Sequence, residues 1–316
     1  FMFSTCLMAA LRTVEIVQIA FRISIVSLVI NVGINWLLIF GNLGAPRLGI
    51  KGAAIGTLIA RAAEFAIILI YVLKIDKKLR LFSENIFKRD RELGRDYFKC
   101  AVIMIPTEIC WAIATPFQTA MLGSMSANAI AANSVATTFY NYLKVVIRSI
   151  ASASAVLIGS AIGEGDKEEV KAKGRTLSVI FIVIGGILAL LLFVLRGPLL
   201  SLYSLTPETI ELTSQMIALY SIIMIGMSYQ MPVSTGIIRA GGDTIFNMKL
   251  NLIGVWCLVV PLTFLSVFVW HAPAVIVLLC AQSDQLVKCL PVFLKFRKYN
   301  WIHKLTLRFH EYPNSR

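Results

Sequence analysis

Charged side chains are scarce in this chain: they make up 15% of its 316 residues, whereas a soluble domain carries about 25%. There are only three histidines, and the six cysteines contain no Cys-x-x-Cys pair, so neither a metal site nor a disulfide framework is indicated. A phosphate-binding Gly-x-x-x-x-Gly-Lys-Ser/Thr loop and a nucleophile elbow are also missing, which argues against ATP hydrolysis and acyl-transfer chemistry. These absences point away from a soluble enzyme.

Apolar length is what the chain has in abundance, with 58% hydrophobic residues and a mean hydropathy of +0.79. Eight weakly charged runs reach about 20 residues, the length that crosses roughly 30 Å of hydrocarbon. Lipid offers the backbone no hydrogen-bond partners and no run alternates like a barrel strand, so each run predicts a helix. The predicted spans are 19–40, 52–73, 100–122, 129–161, 177–195, 217–238, 250–270 and 274–296. The predicted fold is an all-α, polytopic bundle in the lipid bilayer.

The net charge of +13 comes from basic residues that collect on one side of this predicted topology. If the eight spans alternate, 23 of the 30 Lys and Arg residues lie on one side, three lie on the other and four lie inside spans. Such asymmetry is typical of cytoplasmic loops. It explains the basic composition without a nucleic-acid partner.

The longest polar segment divides the chain into two membrane parts. Residues 1–74 hold half a span and two full spans, 75–98 are predicted as a cytoplasmic linker, 99–298 hold six spans, and 299–316 form a cytoplasmic tail. Six spans are the size of one half of many two-part transporters. We therefore expect the chain to be the C-terminal portion of a longer protein. In this chain, the first lobe lacks its first three spans and part of the fourth.

Several stretches, in order along the chain, resemble the multidrug and toxic compound extrusion (MATE) family. The most similar is GIIRAGGDT at 236–244. The others are Asn31 and Asn35 followed by LIFGNLGAPRLGIKGAA at 38–54, AAN at 131–133, LIG at 157–159, GEG at 163–165, Trp256 with Pro261, and KFRKYNW at 295–301. Together they cover nearly the whole chain.

The resemblance implies two six-helix lobes around a central cavity, with this chain extending from about half of span four through span twelve. It implies export of small, mostly cationic, amphipathic compounds in exchange for H⁺ or Na⁺, with no cofactor besides the coupling ion. It also implies a monomer in the bacterial cytoplasmic membrane, with the interlobe linker and the C-terminus in the cytoplasm.

Glu108 is the first candidate functional residue, because an ionisable group inside a bilayer needs a partner or a wet cavity. It lies between Pro106 and Trp111, and the resemblance also points to a membrane-embedded Glu in span seven. Reflecting position 108 about the next turn places Lys144 at the same depth, with Arg148 one helical turn further. We expect Glu108 to pair with Lys144 in one state of the transport cycle, with a static salt bridge as the alternative.

The charge pattern also bears on substrate and ion. Lys144 and Arg148 share one helix face, which argues against a purely cationic substrate. Residues 225–230 of span ten contain no carboxylate, so a two-carboxylate Na⁺ site is not expected here, although Na⁺ at Glu108 remains open. Further residues that either line the cavity or form interhelical hydrogen bonds are Trp111, Gln118, Asn133, Tyr140, Asn141, Tyr229 and Gln230.

Four other features receive structural interpretations. The pairs Arg61–Glu64 and Asp284–Lys288 are expected to neutralise themselves on one helix face. Asp243 is expected to cap the following helix. Trp270 and Trp301 are expected to lie at the membrane interfaces.

Two other functional classes stay open. A lipid-linked oligosaccharide flippase of related two-lobed architecture would use Lys144 and Arg148 to bind a diphosphate or carboxylate head group. The other class is a membrane-embedded enzyme or receptor. An enzyme would need a catalytic set at one depth, and only the surroundings of Glu108 come close to one. A receptor would not need the layout of paired transporter halves.

Overall fold

The computed structural model describes residues 2–13, 17–74, 91–201, 203 and 205–302. These residues are helical apart from short connections and contain no strand. We label the helices α1 (Met2–Thr13), α2 (Val17–Phe40), α3 (Ile50–Lys74), α4 (Arg91–Gly123), α5 (Ala127–Glu164), α6 (Lys167–Leu200), α7 (Pro207–Ile238), α8 (Thr244–Val269), α9 (Ala274–Ala281) and α10 (Ser283–Arg297). The chain divides into two compact units, Phe1–Gly94 and Arg95–Arg316.

The predicted spans are found in the structure. Among the described residues, seven helices are long and apolar enough to cross a membrane, and α9 with α10 forms an eighth if this pair, bent by 46°, is one span. The division between the units falls inside the predicted linker 75–98, of which residues 75–90 lie outside the described part of the chain. Most of the predicted tail, residues 303–316, also lies outside it.

In the first unit, α2 packs against α3. The two helices approach closely at Gly52, where an added Cβ would lie 2.6 Å from the carbonyl oxygen of Leu38. Glu64 is buried and accepts hydrogen bonds from Arg61 at 2.6 Å and from Ser27 at 3.0 Å. The expected intrahelical Arg61–Glu64 pair is therefore confirmed.

In the second unit, α5 lies against both α6 and α7. A polar side chain precedes each of the helices α5 to α8 and accepts a hydrogen bond from a backbone N–H of the first turn. These residues are Ser126, Asp166, Thr206 and Asp243. The capping role expected for Asp243 is thus confirmed, and its carboxylate also pairs with Lys295 at 2.5 Å.

Two apolar cores form within the second unit. One surrounds the rings of Tyr140 and Tyr220 between α5 and α7, and the other surrounds Phe181, Phe296 and Trp301. The C-terminal turns of α7 and two stretches of α8 are π-helical, following Pro232 in α7 and flanking Pro261 in α8. Such wider turns are frequent at functional sites and re-satisfy backbone groups that a proline leaves unpaired.

Candidate functional site

A cavity of about 180 Å³ lies among five helices of the second unit, α4, α5, α7, α8 and α10. Its ionisable lining groups are Glu108, Lys144, Arg148, Asp284 and Lys288. The other lining residues are Thr107, Cys110, Trp111, Met227, Gln230, Met231, Ser234, Thr235, Asn251, Leu252, Val255, Trp256 and Gln285. Ionisable groups are costly at membrane depth, so their convergence on one concave surface marks a candidate binding site.

Glu108 reaches this cavity from the middle of α4, two residues after Pro106. Proline supplies no backbone N–H and weakens the helix one turn before its position. Trp111 lies on the next turn of α4 and lines the same cavity. The carboxylate that the sequence singled out therefore lies beside an aromatic surface.

Lys144 and Arg148 line the cavity from α5, as their spacing of one turn predicts. The expected ion pair with Glu108 is not formed in this conformation, because no carboxylate among the described residues lies within 4.0 Å of the Lys144 amine. Instead, the amine lies 5.9 Å from the ring centre of Trp111 and 5.7 Å from that of Tyr140. Aromatic faces at this distance attract a cation.

Arg148 is shared with a neighbouring cavity that Arg239 also lines, at the end of α7. The guanidinium of Arg239 contacts the sulfur of Met104 at 3.3 Å. Lys144, Arg148 and Arg239 thus supply cationic groups along connected parts of the α5–α7 surface.

A chain of hydrogen bonds joins three helices on another wall of the cavity. Lys288 on α10 donates to Asp284 at 2.7 Å and to Asn251 of α8 at 3.0 Å. The Gln285 amide donates to Asp284 at 3.0 Å, and its oxygen accepts from Gln230 of α7 at 2.7 Å. The expected Asp284–Lys288 pair is confirmed, but it is part of a buried interhelical network and not an isolated surface pair.

Asn251, Gln285 and Trp256 line the cavity but were not predicted to do so. Asn251 did carry a signal, since it follows Asn247 by one turn in a predicted span and bonds to it at 3.1 Å. Gln285 carried another, because it stands in the polar run Gln282–Gln285 inside an apolar span.

The remaining predicted residues lie outside the cavity lining. Tyr140 is buried beneath Lys144, and Asn133 accepts hydrogen bonds from Thr137 at 3.2 Å and from Tyr220 at 3.3 Å. Tyr229 packs against the core around Phe181. Asn141 is exposed, and Gln118 is half-buried.

No group of three or more His, Cys, Asp or Glu side chains placed to hold a metal ion occurs in the described part of the chain. The oxygen-bearing side chains around Asp284 are instead amides from three helices. The cavity presents charged, amide and aromatic surfaces.

The fold is similar to those of solved membrane transporters. The crystal structure of the Vibrio cholerae MATE transporter VcmN D35N mutant matches with a TM-score of 0.77 and 17% identity, over 93% of this chain and 65% of that one. The MATE transporter ClbM in complex with Rb⁺ matches with a TM-score of 0.72 and 15% identity, over 90% of this chain and 63% of that one. The protein is thus an all-α, multi-pass membrane protein with the MATE fold.

The MatE family model matches residues 104–265, and the chain belongs to this family. Its members are transporters and not enzymes. Relatives include the probable multidrug resistance protein YoeA of Bacillus subtilis, which is 27% identical over 76% of this chain and 52% of that protein. The probable multidrug resistance protein NorM of Bacillus cereus is also 27% identical, over 77% of this chain and 54% of that protein. The chain spans about half the length of these relatives.

Proposed function

We propose that the full-length protein exports small amphipathic compounds in antiport with H⁺ or Na⁺. The observation that carries this proposal is the cavity in which Glu108 lies beside Trp111, with Lys144 and Arg148 on the next helix. A cavity of this kind, among helices that cross the membrane, offers an aromatic body somewhere to stack and a charged group somewhere to pair. Relatives named as probable multidrug resistance proteins support the same function.

The charges of the cavity bear on the substrate. Asp284 and Lys288 neutralise each other at 2.7 Å, which leaves Glu108 to pair with a bound compound or with one of the cations Lys144, Arg148 and Arg239. We expect a cationic group to bind at Glu108, while an acidic group on the same compound binds at Lys144. Cationic and zwitterionic aromatic compounds satisfy both requirements.

The proposed orientation follows the charge asymmetry. The side that carries 23 of the 30 Lys and Arg residues faces the cytoplasm of a bacterial cell. The interlobe linker and the C-terminus then lie in the cytoplasm, and rocking of two lobes alternates access to the cavity. We expect the full-length protein to work as a monomer.

The test is efflux of a fluorescent organic cation from a bacterial host that lacks its own drug exporters. The full-length protein would be compared with Glu108→Gln, and with Glu211→Gln as a control at an exposed carboxylate of α7 outside the cavity. We expect efflux that depends on an ion gradient, is lost in Glu108→Gln and is retained in Glu211→Gln. Separate collapse of the H⁺ and Na⁺ gradients identifies the ion, and efflux unchanged in Glu108→Gln would contradict this role for Glu108.

The paired cations Lys144 and Arg148 support a second candidate, the flippase of a lipid-linked oligosaccharide, since two adjacent cations match a diphosphate. Proteoliposomes with a fluorescent polyprenyl diphosphate in the inner leaflet would test it. Translocation that needs Lys144 and Arg148, without efflux of organic cations, would favour the flippase.

A further inference from the structure

The ammonium group of Lys288 lies between side-chain oxygens from two helices. It donates to the Asp284 carboxylate of its own helix at 2.7 Å and to the amide oxygen of Asn251 on α8 at 3.0 Å. Only 5% of Lys288 and 6% of Asp284 remain accessible. A positive charge is therefore held among oxygens at the wall of the cavity.

Other residues hold these oxygens in place. Gln285 donates to both carboxylate oxygens of Asp284 at 3.0 Å, and Gln230 of α7 in turn donates to Gln285 at 2.7 Å. Asn251 donates to the side-chain oxygen of Asn247 at 3.1 Å, which orients its own oxygen towards Lys288. The oxygens are thus positioned by contacts that do not involve the lysine.

The side chain of Lys288 passes close to Gly254 of α8. A Cβ added at Gly254 of α8 would lie 2.4 Å from Cε of Lys288 and 3.2 Å from its Nζ. A side chain at position 254 would therefore displace the ammonium. The absence of a side chain there lets the amine reach Asn251 and Asp284.

Carboxylate and amide oxygens are also the ligands that hard metal cations prefer. We propose that Asp284 and Asn251 form a monovalent-cation site in which Lys288 is a tethered cation that excludes Na⁺. Without the ammonium, Asp284 would be a buried carboxylate that has lost its ion-pair partner, and binding of a metal cation or a proton would relieve this cost. Removal of the amine then converts the site into one for Na⁺.

The consequence for transport rests on the proposed antiport: the wild-type protein does not couple export to Na⁺ at Asp284. Occupancy of the site is measured without transport, so the two proposals can fail separately. A Na⁺ site gained in a protein that exports nothing would keep this inference and overturn the proposed function. Export by a protein in which no Na⁺ site is gained would keep the proposed function and overturn this inference.

The experiment measures ²²Na⁺ binding to the purified full-length protein, together with thermal stability in NaCl and in choline chloride at equal ionic strength. Lys288→Met is expected to bind one more Na⁺ than wild type and to be stabilised by Na⁺. The double variant Lys288→Met/Asp284→Asn is expected to lose both effects. Lys249→Met is the control, because it removes a positive charge from an exposed position of α8 outside the cavity.

A second variant opens the site without deleting the lysine. Gly254→Ala is expected to displace the ammonium and to give an intermediate gain of Na⁺ binding, which covers the case in which Lys288→Met does not fold. Equal Na⁺ binding by wild type and a folded Lys288→Met or Gly254→Ala protein would overturn the inference. The same holds if the gained binding survives Asp284→Asn.

Discussion

The ring of Tyr140 on α5 stacks on the ring of Tyr220 on α7, with centroids 4.5 Å apart and planes inclined by 26°. Both side chains are buried, each with 2% of its surface accessible. The Tyr140 hydroxyl contacts the Met227 sulfur at 2.8 Å, and the Tyr220 hydroxyl contacts Thr137 at 3.1 Å. The stacked pair therefore joins two of the helices that line the cavity. Its Tyr140 ring also lies 5.7 Å from the Lys144 amine.

Tyr140→Ala is expected to destabilise the protein strongly. Truncation of a buried aromatic side chain costs about 3–5 kcal/mol, because it removes apolar burial and leaves a cavity. Tyr140→Phe keeps the stacked ring and loses only the hydroxyl contact, so its cost should stay near 1 kcal/mol. The fraction of detergent-solubilised protein that stays monodisperse after heating measures both. Tyr142→Ala, at a 67% exposed ring on the same helix, is the control, and equal losses at both positions would contradict the packing role.

Gly236→Ala is expected to separate α5 from α7. An added Cβ would lie 2.4 Å from the Ser154 hydroxyl and 2.6 Å from the carbonyl oxygen of Ala151. Backbone cannot give way cheaply, and overpacking of this kind typically costs about 1–3 kcal/mol. Gly159→Ala is the matched control, since nothing lies within 4 Å of its added Cβ. In the same heating assay, Gly236→Ala should survive less well than wild type and Gly159→Ala should survive equally well. Unchanged survival of Gly236→Ala would show that the helices are not in this close contact.

Hydropathy predicts the membrane spans well because apolar length is the main requirement of a bilayer. It predicts helix ends less well. A span is predicted to start at residue 177, but α6 begins at Lys167, because its first turns are polar and Asp166 caps them by accepting hydrogen bonds from two backbone N–H groups. The bend between α9 and α10 was not predicted either, since the polar residue Gln282 at the break lies in a run that is apolar on average.

Trp301 shows why burial is harder to predict than membrane insertion. The side chain does not face lipid as an interfacial anchor would: it has no accessible surface and stacks on Phe296, with ring centroids 6.0 Å apart. It fills the space beside Gly241, where an added Cβ would lie 2.3 Å from the ring. A Trp near the end of a span has the same sequence signature at an interface and in a core, and only the tertiary partner distinguishes them.

Trp301→Ala is accordingly expected to cost about 3–5 kcal/mol. Trp270→Ala should cost far less, because that residue is 58% exposed in the structure. The two variants are compared by the fraction of protein that stays monodisperse after heating in the same detergent. Similar survival of both would mean that Trp301 does not fill the core in the membrane.

The candidate site was predictable only in part, and the reason is geometric. Glu108, Lys144 and Arg148 lie on two helices joined by one short turn, so reflection about that turn relates their depths. The network of Lys288 and Asn251 depends on how α7, α8 and the bent α9–α10 pair pack, which no local spacing in the sequence specifies.

The two cations of α5 give a last prediction about substrate recognition. No carboxylate in the described part of the chain lies within 4.0 Å of Lys144, so an acidic group on a bound compound can pair with it. A hydrogen bond to a charged group contributes about 1.5–3 kcal/mol, so Lys144→Gln should raise KM for a zwitterionic dye roughly 10- to 100-fold. KM for a purely cationic dye should stay the same or fall, because Lys144 repels it.

The control for this comparison is Lys249→Gln, which removes a positive charge from an exposed position on α8 outside the cavity. It should leave KM for both dyes unchanged, which separates a local contact from an effect of net charge. Equal changes of KM for the zwitterionic and cationic dyes in Lys144→Gln would mean that the amine does not contact the acidic group. Lys144 would then act only through its position over the rings of Trp111 and Tyr140.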